Sequence, residues 1–162
     1  MLIKKIDTLD ELKEMAFVHY KSWNETYMSM LGENYLKSRT YDSQVEKTIK
    51  SYNDGKISLI AREDGKAVGF ITYGIYKNEE CIKGEIFALY VLKDYQHKKI
   101  GYELMTRALN ELSECLCVTL WLFKDNKKAL SFYERLGFKL TGQSKVAHLG
   151  IDVIGIEMIR SK

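Results

Sequence analysis

The sequence predicts a single α/β domain: a mixed sheet with helices on both faces. Three observations support this. The 162 residues fall within the roughly 100–200 expected of one domain. Apolar residues make up 46% and charged residues 29%, an ordinary globular balance that can bury a core. Apolar runs with strand character alternate with helical periods in the order β-α-α-β-β-β-α-β-α-β-β. The early meander implies antiparallel pairing, and the later β-α-β-α-β stretch implies parallel pairing through helical crossovers.

Leu2 to Ile6 reads as a short strand. Thr8 and Glu11 form a capping-box pattern before a helix carrying Leu9, Leu12, Ala16 and Trp23, which ends near Tyr27. A second helical region covers Asn34 to Tyr52 with an interruption near Thr40. Ser43 and Glu46 repeat the capping box there, and Asn53-Asp54-Gly55 ends it. Strands follow at Ile57 to Arg62 and Ala67 to Tyr76 around an Asp64-Gly65 turn. A second turn is expected at Asn78 to Glu80, before a β-rich run from Glu85 to Leu92. A helix of 3.6 period spans Lys99 to Ser113, and Val118 to Phe123 is a continuous apolar strand. Asn126 to Leu136 is a helix with Gly137 at its C-cap, and strands at Phe138 to Val146 and Ile151 to Ile159 close the chain. With no proline in the sequence, turns fall to Gly, Asn and Asp.

The net charge of +3 is too mild for a nucleic-acid binder but permits a local basic patch for a small anion. Cys81, Cys115 and Cys117 contain no C-x-x-C pair, so no zinc or redox motif is supported and no metal is expected. They read as reduced thiols of a cytoplasmic protein. No apolar run approaches the ~18 residues of a membrane span, and the first residues lack a signal-peptide core. A P-loop is excluded because G-x-x-x-x-G-K-[S/T] does not occur.

Two strand–turn–helix units carry the chemistry. In the first, the strand ending at Tyr90-Val91-Leu92 leads through Lys93-Asp94-Tyr95-Gln96-His97-Lys98-Lys99 into a helix beginning Ile100-Gly101. Cations at a helix start oppose the helix dipole, and a bound polyanion reverses that sign, because free N–H groups there bind phosphate. The second unit, Leu120 to Ala129, repeats the logic, with Asn126 as N-cap and Lys127 and Lys128 at the helix start. Two such starts after two strands suggest one ligand between them.

Gln96-x-x-Lys99-x-Gly101 resembles the acyl-CoA loop of the GCN5-related N-acetyltransferases. Asn126-x-x-Ala129-x-x-Phe132-Tyr133-x-x-x-Gly137-Phe138 resembles that family's second conserved block, and the element order agrees over nearly the whole chain. The resemblance implies a mostly antiparallel twisted sheet with a splayed central parallel pair, and acetyl-CoA as acetyl donor. It places the pantetheine against the backbone of Leu89, Tyr90 and Val91. It places the pyrophosphate against Gln96, His97, Lys98, Lys99, Ile100, Gly101 and Tyr102, with Asn126 and Ala129 beside the cofactor and Tyr133 facing the thioester sulfur. Lys99 departs from the family's glycine and Lys93 from a frequent proline. A helical or type I conformation at Lys99 would need no glycine. Phe123 stands where the ribosomal-protein alanine acetyltransferases usually carry glutamate, which argues against that subgroup.

Acetyl transfer by direct attack needs a deprotonated amine, donors for the tetrahedral oxyanion and a proton for the departing thiolate. Tyr133 is the expected general acid, because a phenol is protonated at neutral pH. A free N–H near Val91 is the expected oxyanion donor. Glu85 is the expected base, alternating with Phe87, Leu89 and Val91 on one face, and His19, His97 and His148 are alternatives. His19-x-x-x-Trp23-x-x-x-Tyr27 resembles a first-helix pattern of bacterial members, with the three side chains on one face. Trp23 and Tyr27, with Tyr73 and Phe87, are expected to wall the acceptor pocket and suit a cationic amine. The expected acceptor is a primary amine of a small molecule (polyamine or amino sugar) or of a protein, and monomer and homodimer stay open. The alternative readings are a non-catalytic acyl-CoA sensor and an interaction module.

Overall fold

A computed structural model describes residues 1–77 and 81–162. The turn expected at Asn78 to Glu80 lies outside them. Strand β1 (Leu2–Lys5) precedes helices α1 (Leu9–Tyr27), α2 (Glu33–Ser38) and α3 (Tyr41–Asn53). Strands β2 (Ile57–Glu63), β3 (Lys66–Lys77) and β4 (Ile82–Val91) follow. A 3-10 turn, Lys93–Tyr95, leads to α4 (Ile100–Glu111). The chain ends with β5 (Cys117–Phe123), α5 (Lys127–Arg135), β6 (Lys139–His148) and β7 (Asp152–Ser161).

Local signals in the sequence set these boundaries. Thr8 Oγ1 accepts from the Glu11 amide at 3.3 Å, as a capping box requires. The Glu11 carboxylate reaches back one residue further than expected, to the Asp7 amide. α3 starts differently from the sequence reading: Thr40 caps it by accepting from the Ser43 amide. Thr40 is the extended residue between α2 and α3, so its hydroxyl is free to turn onto the helix, whereas Ser43 is already helical. Gly137 closes α5 at a φ of 85°, with the Phe138 amide bonded to the Tyr133 carbonyl.

Among the described residues the sheet has seven strands in the order β1-β2-β3-β4-β5-β7-β6. Every pair is antiparallel except β4 with β5. The crossover through α5 does bring β6 parallel to β5, but β7 inserts between them, so only one parallel pair forms. That pair is short: Lys83 to Ile86 register with Cys117 to Leu120 and the strands then part. Beyond Ile86, β4 keeps β3 on one side, as far as Gly69 opposite Val91, and faces a gap on the other.

Two cores hold the faces. On one, Leu104 and Met105 of α4 and Tyr133 of α5 pack with Leu59, Ile71, Ile86, Leu120 and Met158 of the sheet. On the other, Val18 of α1 packs with Ile6, Ile60 and Phe70, with Ala88 and Tyr90 at the margin. A bulge opposite Thr72/Tyr73 lets β4 pass from one register to the next at Phe87. It overturns the simple alternation expected from Glu85 to Val91. Ile86, Leu89 and Val91 pack toward α4. Glu85 stands opposite Gly74, and the Phe87 ring lies against Gly74, since a Cβ there would meet it at 3.0 Å. Glu85 and Phe87 therefore share the far face without Leu89 and Val91.

Candidate active site

Where β4 and β5 part, a cleft of about 1070 Å³ opens. Its walls are Phe87 to Val91 of β4, Leu120 to Leu122 of β5, the start of α4 and the first turns of α5, with Tyr27 from α1. The two strands carry unpaired backbone groups into it, which an extended polar ligand can satisfy.

The mouth can receive an anion. No side chain caps α4. Its first internal bond runs from the Glu103 amide to the Lys99 carbonyl, which leaves the Ile100, Gly101 and Tyr102 amides unused by the helix. His97 and Lys99 both sit at a φ of 63°. Lys99 thus adopts the left-handed conformation that glycine takes more easily, rather than a helical or type I conformation. This costs roughly 1–2 kcal/mol at a non-glycine residue and is the kind of strain that collects at binding sites. The Gln96 side chain ties the loop back by donating to the Val91 carbonyl at 3.1 Å, and Lys98 rests over the Tyr95 ring. A Cβ on Gly101 would have its nearest neighbours at 3.8 and 3.9 Å. Protein packing does not require glycine there, and Gly101 lines the cleft.

The second helix start is capped by Asn126, whose Oδ1 accepts from the Ala129 amide at 3.1 Å. Its Nδ2 donates to the Tyr27 hydroxyl at 3.4 Å, and the Tyr90 side chain lies beside Tyr27. Tyr133 is buried, lies against Phe132 and Phe138, and lines the cleft. Burial and the neighbouring Tyr27 push its phenol well above the usual range, so its proton stays in place at any physiological pH.

The Trp23 ring meets those of Tyr27 and Tyr90 at a tilt and that of Phe123 edge-on, and Tyr27 also meets Phe123 edge-on. Tyr27 reaches the cleft, and Trp23 sits behind it under the Arg39 guanidinium. Tyr73 does not belong to the acceptor wall. It is fully buried on the α4 face, and its hydroxyl donates to Glu111 at 2.6 Å.

On the other face, Glu85 stands near Tyr76, Lys56, Lys145 and Glu157. Burial raises its carboxyl above the ordinary value, while Lys145 and Lys56 oppose that rise. The lysines lie over rings: Lys145 over Trp121 and Lys56 over Phe87. Sequence reasoning missed Trp121, although period-2 alternation with the buried Val118, Leu120 and Leu122 was a usable signal. It missed Lys145 and Glu157, which only the return of β6 and β7 brings to this place.

The three histidines separate. His148 is exposed and paired with Asp152, and His97 lies in the mouth loop. His19 is stacked on Tyr90 at 4.8 Å, with Nδ1 3.0 Å from the Gln44 amide nitrogen. Burial, then Arg39 and Lys47, hold its pKa down at about 3, so it is neutral in the working range. A histidine whose folded pKa is depressed contributes stability above its unfolded value of about 6.5 and loses it as pH falls. A loss of about 2 kcal/mol is expected between pH 8 and pH 5. Glu11, held at about 2 mainly by Lys4, adds to the loss only below its unfolded value. Urea unfolding at both pH values checks this. His19→Phe should flatten the dependence, and an equally steep variant would exonerate His19.

A model of the acetyltransferase (GNAT) family matches residues 18–138. The chain belongs to this family. It is 29% identical over 146 residues to a spermidine N(1)-acetyltransferase of Thermoplasma acidophilum, covering 85% of this chain and 88% of that protein. It is 26% identical over 153 residues to the uncharacterized N-acetyltransferase YuaI of Bacillus subtilis, covering 93% and 84%. Among solved structures, the PaiA N-acetyltransferase of Thermoplasma acidophilum in complex with coenzyme A superposes with a TM-score of 0.76. It shares 26% identity and is covered, like this chain, over 100% of its length. As a GNAT N-acetyltransferase, the protein takes acetyl-CoA as its donor, and the parted strands, uncapped α4 and bare Gly101 fit that molecule. No helix among the described residues is long and apolar enough to cross a membrane.

Proposed function

We propose that the chain transfers the acetyl group of acetyl-CoA to a primary amine of a polyamine, with Tyr133 as general acid and Glu85 as base. One observation carries this reading. The strands part just past Ile86 and Leu120, with the Tyr133 phenol on one face of the sheet and the Glu85 carboxylate on the other. With the pyrophosphate at the mouth, the pantetheine arm runs inward and its thioester lies near the apex of the gap. An amine approaching from the Glu85 face meets the carbonyl carbon, while the sulfur departs toward Tyr133.

Each group has one task. Glu85 takes the ammonium proton, directly or through water, and its raised affinity for protons suits a base working near neutral pH. Backbone amides at the apex, around the Phe87 bulge, are better placed for the oxyanion than Val91, which stands at the mouth end of β4. The negative charge that builds on sulfur draws the Tyr133 proton. Polyamine specificity is supported by the spermidine N(1)-acetyltransferase relative and by a probable spermine N(1)-acetyltransferase of Bacillus subtilis, 29% identical over 87 residues, 49% of this chain and 57% of that protein. Glu85 and Glu157, beside the Trp121 and Phe87 rings, also suit a cation.

An amine panel of spermidine, spermine, an amino sugar and a peptide N-terminus, followed by mass spectrometry, tests the acceptor. The expected result is turnover of the polyamines at the highest kcat/KM. Preference for the peptide or the sugar would overturn the acceptor class, and bound acetyl-CoA without turnover would favour the sensor. Glu85→Gln should lower kcat/KM about a hundredfold and move the rising limb of the pH profile to higher pH. An unaltered profile would remove Glu85 as base.

A further inference from the structure

The acceptor side of the sheet already holds an amine of this chain. Lys145 of β6 projects across β7 with its Nζ 3.9 Å from the centre of the Trp121 ring. The residue registered opposite it is Gly155. A Cβ there would meet Lys145 Cγ at 3.5 Å and Trp121 Cε3 at 3.7 Å. Trp121 is the first residue of β5 beyond the last pair with β4 and lines the cleft, so its ring flanks the apex where the thioester is expected. Among the charges acting on Glu85, Lys145 has the largest influence. A primary amine, the candidate base and the apex of the gap are thus gathered in one place, with the amine tethered.

We propose that Lys145 is a self-acetylation site, modified by acetyl-CoA bound in the gap of the same chain. The proposal rests on the catalytic reading given above. The Lys145 ammonium first gives one proton to Glu85. Its Nζ attacks the thioester carbonyl, a C–N bond forms, the C–S bond breaks, and the nitrogen loses its second proton as the intermediate collapses. The thiolate gains one proton and the other goes to solvent, so an ammonium and acetyl-CoA become an acetamide, CoA thiol and one proton. The modified side chain carries no charge, which leaves Glu85 and Glu157 with Lys56 as their remaining countercharge in this cluster. Modification therefore favours entry of a cationic acceptor.

The full chain is incubated with isotopically heavy acetyl-CoA and sampled over time by peptide mass spectrometry, at two protein concentrations about tenfold apart. The same sample is titrated with acetyl-CoA by calorimetry. The expected result is heavy acetyl on Lys145 about tenfold or more faster than on any other lysine, as tethering implies. The rate constant should be independent of protein concentration and suppressed by desulfo-CoA. Lys145→Arg keeps a cation on the ring and should remove the fast label while acetyl-CoA still binds. With binding intact, label spread over lysines by exposure, label on Lys56 instead, or a rate that scales with protein concentration would overturn the proposal and leave the catalytic reading standing. Absence of binding would overturn both.

Discussion

Replacing Tyr133 by Phe lowers kcat about 10²–10⁴-fold, the span of a lost general acid, and leaves acetyl-CoA affinity within about threefold. The ring packs between Phe132 and Phe138, and Phe keeps those contacts, so the fold and the cleft survive. Only the proton for the departing sulfur is lost. Single-turnover kinetics beside calorimetry separates the two effects. If turnover is unchanged, Tyr133 is not the acid. The hydroxyl next in line is then Tyr27, which lines the same cleft and accepts from Asn126.

Gly101 should separate stability from binding with opposite signs. It lies inside α4, where Ala is favoured over Gly by about 0.5–1 kcal/mol, and its Cβ would meet nothing closer than 3.8 Å. Gly101→Ala is therefore expected to raise stability by that amount while weakening acetyl-CoA binding, since the methyl enters the space kept for the ligand. Gly101→Glu adds a negative charge to the phosphate cradle and should weaken binding about a hundredfold or more, with the melting temperature little changed. Thermal melts with and without acetyl-CoA show both effects. Equal affinity in wild type and Gly101→Glu would move the pyrophosphate away from the start of α4.

The sequence revealed much of this site because its parts are local. The Thr8 and Asn126 caps, the Gly137 stop and the turns after β4 and β5 are written in consecutive residues, and each stands where its chemistry puts it. What was illegible depends on distant pairing. The bulge at Phe87 exists only because β3 and β4 change register there, so period-2 counting grouped Leu89 and Val91 with Glu85. Tyr73 looked like pocket lining because an aromatic on a strand does not declare its face; its partner Glu111 belongs to α4. Lys145 and Glu157 meet Glu85 only because β7 inserts between β5 and β6, a topology that no local pattern announces. The left-handed Lys99 was likewise hidden, since lysine gives no sign that its backbone must take a glycine conformation.

The central claim is that the parted β4 and β5 strands hold the pantetheine arm of the donor while the start of α4 holds its pyrophosphate. Calorimetric titration with acetyl-CoA, desulfo-CoA and ATP tests it most directly. Acetyl-CoA and desulfo-CoA are expected to bind in the micromolar range, each at least about tenfold tighter than ATP, because the arm's backbone bonds add to the phosphate contacts. ATP binding as tightly as acetyl-CoA would contradict it, since the gap between the strands would then contribute nothing.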